Sequence, residues 1–274
     1  MERATSRWTT HGDWWALVWL AIGMLFLQFG TALVFGSANI GFAIVVPVVL
    51  VFGPLAGAAL ALGAALAEIV AGPSSLAILR FGEVVVLTIA GWLLWRQTTP
   101  AWSVGARGGL SIAIVAGIAA LVSIGVSLTV LPTVVGLGGF TQLPVLLLER
   151  LLPAIVVAPV LYVGFASLGN RPVVPGRGSG RSMVRTLSGV GVLAIAWVSS
   201  ATILDIVRRD VAAYPHIQSY LVRPMPGVIG DMIAFGIGPR GGVLYGLLGV
   251  GSLAMMWVVL RYWGEPPAAV LSSH

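Results

Sequence analysis

The sequence predicts an all-α integral membrane protein with a six-helix transmembrane core and two additional C-terminal transmembrane helices. Three observations predict it. Of 274 residues, 58% are apolar and only 9% charged, against about 25% charged in a soluble domain. Mean hydropathy is +1.01, and nine acids with fifteen bases cannot clothe a water-facing surface of this size. The apolar residues fall into eight segments, most near the roughly 20 residues that cross a hydrocarbon core about 30 Å thick.

The core segments are 14–36, 40–53, 54–72, 76–95, 109–131 and 142–168. The second is short and is parted from the third at Gly53-Pro54, so it reads as a tilted short span or a re-entrant piece. The C-terminal pair is 187–207 and 241–262. Residues 169–186, rich in Gly, Pro and Arg, read as a flexible basic cytoplasmic linker between residues 14–168 and the pair in 187–263. Residues 208–240 then form an extracytoplasmic loop, and 264–274 a disordered tail.

Orientation follows from the arginines. With residues 1–13 in the cytoplasm, Arg3, Arg7, Arg96, Arg107, Arg171, Arg177, Arg181 and Arg185 all fall on the inner side of the first six segments. The outer loops of those segments contain no Arg. The pattern places a multi-pass protein in the cell membrane with a cytoplasmic N-terminus. Arg208, Arg209, Arg223 and Arg240 then lie outside, in the long loop. Trp14, Trp15, Trp92, Trp95 and Trp263 stand near inner segment ends, where interfacial aromatics gather. A signal peptide ending near Gly36 or Ala38 is the other reading of the first segment, which is long for one.

Composition also excludes functions. All fifteen cationic residues are Arg, so no lysine can form a Schiff base or cradle a phosphate in a P-loop. Without Cys there is no thiolate chemistry and no disulfide. His11, His216 and His274 never come within metal-ligand spacing. A net charge of +6 is small for a nucleic-acid binder, and no cofactor motif is present.

Charges within spans are costly, about 2.5–3.5 kcal/mol each near the centre on insertion scales. The core carries five: Glu68, Arg80, Glu83, Glu149 and Arg150. Helix rise puts Glu68 and Arg80 about 6 Å below the outer end of their segments, and Glu83 about 10 Å below it. Glu149 and Arg150 lie roughly 10–12 Å deep, and Gln28, the amide of the first segment, about 12 Å. Asn39 is in an outer loop. All strongly polar groups of the core thus share the outer half and predict an outward polar pocket for a charged or zwitterionic small ligand. Arg80 and Glu83, three apart, can instead simply pair on one helix face.

Two further patterns bear on the pocket. Gly53, Gly57, Ala61, Ala64 and Glu68 recur at helical spacing, a small-residue face that ends in a carboxylate. Pro144, Pro153 and Pro159 interrupt the sixth segment on both sides of Glu149-Arg150, and such breaks free carbonyls that line cavities.

The runs NIGFAIVVPVVLVFGPLAGAALALGAALAEIVAG, RFGEVVVLTIAGWLLWR and LERLLPAIVVAPVL resemble the substrate-binding S components of energy-coupling factor (ECF) transporters, archaeal-type, over residues 14–168. The resemblance implies a six-helix core whose Asn39, Glu68, Glu83 and Glu149 border a ligand site, with Arg80 and Arg150 neutralising them or binding an anionic group. It implies uptake of a small vitamin-like, nucleobase-like or cationic solute from the outer face. A coupling membrane subunit and separate ATPase subunits would be the partners, with the lipid bilayer around them. A membrane sensor or assembly module without transport is the alternative. An intramembrane enzyme using Asp205, Asp210, Asp231 and His216 is a third reading, against which stands a solvated loop face.

Overall fold

The computed structural model describes residues 11–35, 41–71, 74–98, 106–134, 139–168, 180–213 and 242–263. Among them only Gly53 stands outside a helix. The helices are α1 (His11–Phe35), α2 (Gly41–Phe52), α3 (Pro54–Ala71), α4 (Ser74–Thr98), α5 (Ala106–Val134), α6 (Gly139–Leu146), α7 (Leu152–Leu168), α8 (Gly180–Ala213) and α9 (Gly242–Trp263). A π-helical turn, Leu147–Leu151, joins α6 to α7. Six stretches are long and apolar enough to cross a membrane: Pro54–Ala71, Leu76–Gln97, Gly108–Pro132, Thr141–Phe165, Met183–Arg209 and Leu244–Tyr262.

The second apolar segment differs from the expected span. It forms a twelve-residue helix, about 18 Å long, too short to cross alone. Ten of its residues are buried, so α2 is wrapped by neighbours rather than set among lipid, packing on α3, α4 and α7. Gly53 ends it: its φ of 90° lies in the left-handed region that favours glycine. The Gly53 amide donates to Val49 O at 2.8 Å, and its carbonyl accepts from Ala56 N at 3.1 Å, so the chain turns straight into α3.

The second centre is α5, which packs on α4, α7, α8 and α9. One apolar core therefore runs from Met24 on α1 through Val49, Leu87 and Ala119 to Trp197 on α8 and Met256 on α9. Residues on both sides of the linker belong to it.

Close helix approach rests on small residues, which let backbones meet. Gly57 of α3 lies against the Thr88 side chain of α4, Gly91 against Val46, and Gly125 of α5 beneath the Trp197 ring of α8. At Gly63 the neighbour is backbone, the Ala21 carbonyl of α1.

Three further expectations are corrected. Residues 180–186 are helical rather than linker, and Thr186 there is fully buried. Packing of Met183 and Leu187 on the core recruits this polar turn into α8. At its other end α8 runs to Ala213, so 208–213 are helix rather than loop. Trp95 is not interfacial but buried, its ring 5.5 Å from that of Tyr162; Trp14 and Trp15 are exposed. Residues 1–10, 214–241 and 264–274 lie outside the described residues, with Asn39, His216 and Asp231 among those not described.

The Gly63 crossing gives a direct test. Gly63→Ala sets a methyl against backbone that cannot yield, and is expected to cost about 1–3 kcal/mol. Gly23→Ala, with nothing within 4 Å of the added carbon, is expected to leave the unfolding midpoint of the purified protein unchanged.

Candidate functional site

The charged residues of the core meet at one end of the bundle, where α3 and α5 finish and α2, α4 and α6 begin. Glu68 stands on the last turn of α3. Arg80 and Glu83 stand on successive positions of one face near the start of α4. Arg80 Nε donates to Glu68 Oε1 at 2.8 Å, and its Nη1 donates to Glu83 Oε2 at 3.2 Å. The i,i+3 spacing makes the second bond; the chain reversal between α3 and α4 makes the first.

Glu83 is the hub. It is fully buried and its other oxygen, Oε1, accepts from Arg150 Nη2 at 2.8 Å and from Ser127 Oγ at 2.5 Å. Arg150 Nη1 donates in turn to Ser127 Oγ. Ser123, one turn earlier on α5, brings its hydroxyl 3.4 Å from the Glu83 carbonyl. Phe42, from the first turn of α2, lies beneath both guanidiniums, with Arg150 Cζ 4.8 Å and Arg80 Cζ 5.8 Å from its ring centroid. Such cation–π contacts strengthen when desolvated. Residues of α2, α3, α4, α5 and the π turn thus share one ion-pair network.

The π turn brings in both Glu149 and Arg150. Leu152 N–H bonds to Leu147 O, five residues back, and Pro153 offers no N–H to this turn. The helix widens there, and two successive side chains become buried, Arg150 at 2% exposure and Glu149 at 7%. Among the described residues Glu149 makes no hydrogen bond and no ion pair. Its electrostatic neighbours are Arg80, Arg150, Glu83 and Glu68. Arg150 Nε is likewise buried without an acceptor. Three carboxyl groups therefore face two guanidiniums, one acid in excess.

The structure places the expected residues unequally. Glu68, Arg80, Glu83 and Arg150 are bonded to one another, and Glu149 lies beside them. Gln28 is buried on α1, one turn beyond Met24, which lies over Gly63; it stands at the α1–α3 interface. Asn39 lies outside the described residues. Three members were not anticipated. Ser123 and Ser127, four apart on one face of an apolar helix, carried a faint signal. Phe42 carried none.

A second polar cluster ties the C-terminal helices to α6. Arg209 Nε lies 3.2 Å from Asp205 Oδ2, and Arg209 Nη2 donates to Thr141 Oγ1 at 3.3 Å. The Tyr245 hydroxyl of α9 is 3.5 Å from Asp205 Oδ1. Asp205 is buried, so the solvated loop face expected for it is corrected: it is an α8 residue paired with Arg209 of its own helix and met by Tyr245 of α9. Among the described residues no group of three or more His, Cys, Asp or Glu is arranged to hold a metal ion.

No protein-family model matches the chain, and neither the curated proteins nor the solved structures give a match.

A buried ion pair is worth little beside an apolar pair of the same shape, but breaking it strands a charge. Glu83→Ala and Arg150→Ala are each expected to cost about 3–5 kcal/mol. Glu83→Gln combined with Arg150→Met is expected to recover part of that loss, read as a higher unfolding midpoint than either single alanine variant.

Proposed function

We propose that the chain is a multi-pass protein of the cell membrane, N-terminus in the cytoplasm, that binds a small solute from the outer face as the substrate-binding subunit of an uptake transporter. The observation that carries this reading is the buried network around Glu83 with the unbonded Glu149 beside it. Ionisable groups in spanning helices are costly and by default mark substrate or ion paths. Here Glu68, Arg80, Glu83, Glu149 and Arg150 converge at a single end of the bundle. Arg96, in the last turn of α4, and Arg107, at the start of α5, belong to the other end. Positive loops face the cytoplasm, so the network faces out.

The two C-terminal helices, α8 and α9, complete the bundle in this reading as further spans. The site is read as one for binding rather than catalysis. Both Glu83 oxygens are already engaged, one by Arg80 and the other by Arg150 and Ser127. The similarity of residues 14–168 to ECF S components supports a division of labour, with a coupling membrane subunit and separate ATPase subunits supplying the energy. Glu68 and Arg80 are partly exposed at that end, and Glu149 is buried.

The test is a stabilisation screen on the purified protein with vitamins, nucleobases and cations, followed by uptake of any hit in cells. A hit is expected to raise the unfolding midpoint by several degrees. Its uptake is expected to fall at least tenfold in Glu68→Ala combined with Glu149→Ala. Unchanged uptake in that variant would refute the assignment.

A further inference from the structure

The charge balance of the site selects the solute. This inference rests on the solute-binding reading above and adds the chemistry of what is bound. Glu83 is satisfied on both oxygens, by Arg80 on one side and by Arg150 and Ser127 on the other. Glu68 uses Oε1 alone, for Arg80. Glu149 is more than nine-tenths buried and has no bonded partner among the described residues. A carboxylate in such a place needs a positive group in contact with it. Among the described residues none provides one: the bonds of Arg80 and Arg150 go to Glu68, Glu83 and Ser127, and neither guanidinium bonds Glu149.

An anionic solute would meet the surplus negative charge, and a neutral one would leave it uncompensated. A divalent metal ion needs a converging shell of oxygen or imidazole ligands, and no group of three such acidic or His side chains exists among the described residues. An ammonium asks for less. Its N–H donors can each take a separate acceptor in a different direction, and the oxygens left open are those of Glu149 and the second oxygen of Glu68. The π turn adds to this, since Pro153 removes one backbone donor from it and leaves carbonyl acceptor capacity beside Glu149.

We propose that the site takes an organic monocation, a primary or secondary ammonium, with Glu149 as its counter-ion and Glu68 at the entrance. The two guanidiniums hold the network rigid and are not the solute's partners. Phe42, covered by both guanidiniums, is not free to cage the cation.

The experiment uses the full chain in detergent or nanodiscs at fixed ionic strength. Ethylamine, ethanolamine and diethylamine are titrated against sodium chloride, sodium acetate and acetamide, with the unfolding midpoint as readout. The amines are expected to stabilise the protein, and the three controls are not. Glu149→Gln is expected to weaken amine binding at least tenfold while its amine-free midpoint stays at or above that of the parent. Glu149→Asp, which keeps the charge, is expected to retain binding within about threefold. Stabilisation by acetate or acetamide that persists in Glu149→Gln would overturn the cation inference and leave solute binding standing. Stabilisation by sodium chloride equal to that by the amines would overturn the ammonium in favour of a bare ion. If the amines bind Glu149→Gln as well as the parent, Glu149 is not the counter-ion. Failure of every solute in this series and in the wider screen would defeat the solute-binding reading itself.

Discussion

A carboxylate with no exposed surface is the constraint on which the arrangement of this bundle depends. Glu83 cannot stay charged in an apolar interior without partners in bonding geometry. Its neighbours come from other elements: Arg150 from the π turn, Ser127 and Ser123 from α5, and Arg80 from its own helix. Arg80 extends the network to Glu68 on α3, and both guanidiniums lie over Phe42 of α2. The register of four helices and the π turn must therefore agree within about an ångström for the pairing to close. Buried polar networks of this kind act more through specificity than through net stability.

The rest of the fold makes that agreement feasible. Helices in an apolar medium gain little from burying more apolar surface, so close approach matters. Gly57, Gly63 and Gly91 remove the side chains that would hold α1, α2, α3 and α4 apart. Gly53 turns α2 directly into α3 and keeps Phe42 at the charged end, one short helix away. Pro153, just inside α7, gives no N–H back to the π turn where two adjacent residues both turn inward. The Asp205–Arg209–Thr141 contacts fix α6, and with it the approach to the π turn, against α8.

Much of this was legible in the sequence. Hydropathy alone gives the helices, because in a chain 9% charged the apolar runs are long and their breaks sharp. Helix rise from the segment ends puts Glu68, Arg80, Glu83, Glu149 and Arg150 at similar depth, and the structure brings them together. The remainder depends on tertiary contacts that no local pattern encodes. Thr186 and Arg185 sit in a Gly- and Arg-rich stretch that reads as linker, yet packing of Met183 and Leu187 makes it helix. Asp205 reads as a helix-end residue facing water, yet Tyr245 from a helix 40 residues away covers it. Phe42 is one aromatic among apolar neighbours, and only the approach of two guanidiniums gives it a role. The shift of register at the π turn leaves only the prolines as a trace.

What distinguishes Glu149 from the other acids is therefore the network next to it. The guanidiniums are held by Glu83 and Glu68, and among the described residues neither of them bonds Glu149. Its protonation state with solute bound separates the two ways of satisfying it. Infrared difference spectroscopy of the amine-bound against the solute-free protein reads that state, with the Glu149 band assigned by its loss in Glu149→Gln. An ionised carboxylate band in the bound state is expected. A protonated carboxylic acid band in both states would mean that a proton, rather than a bound cation, answers the buried charge, and would contradict the role given to Glu149.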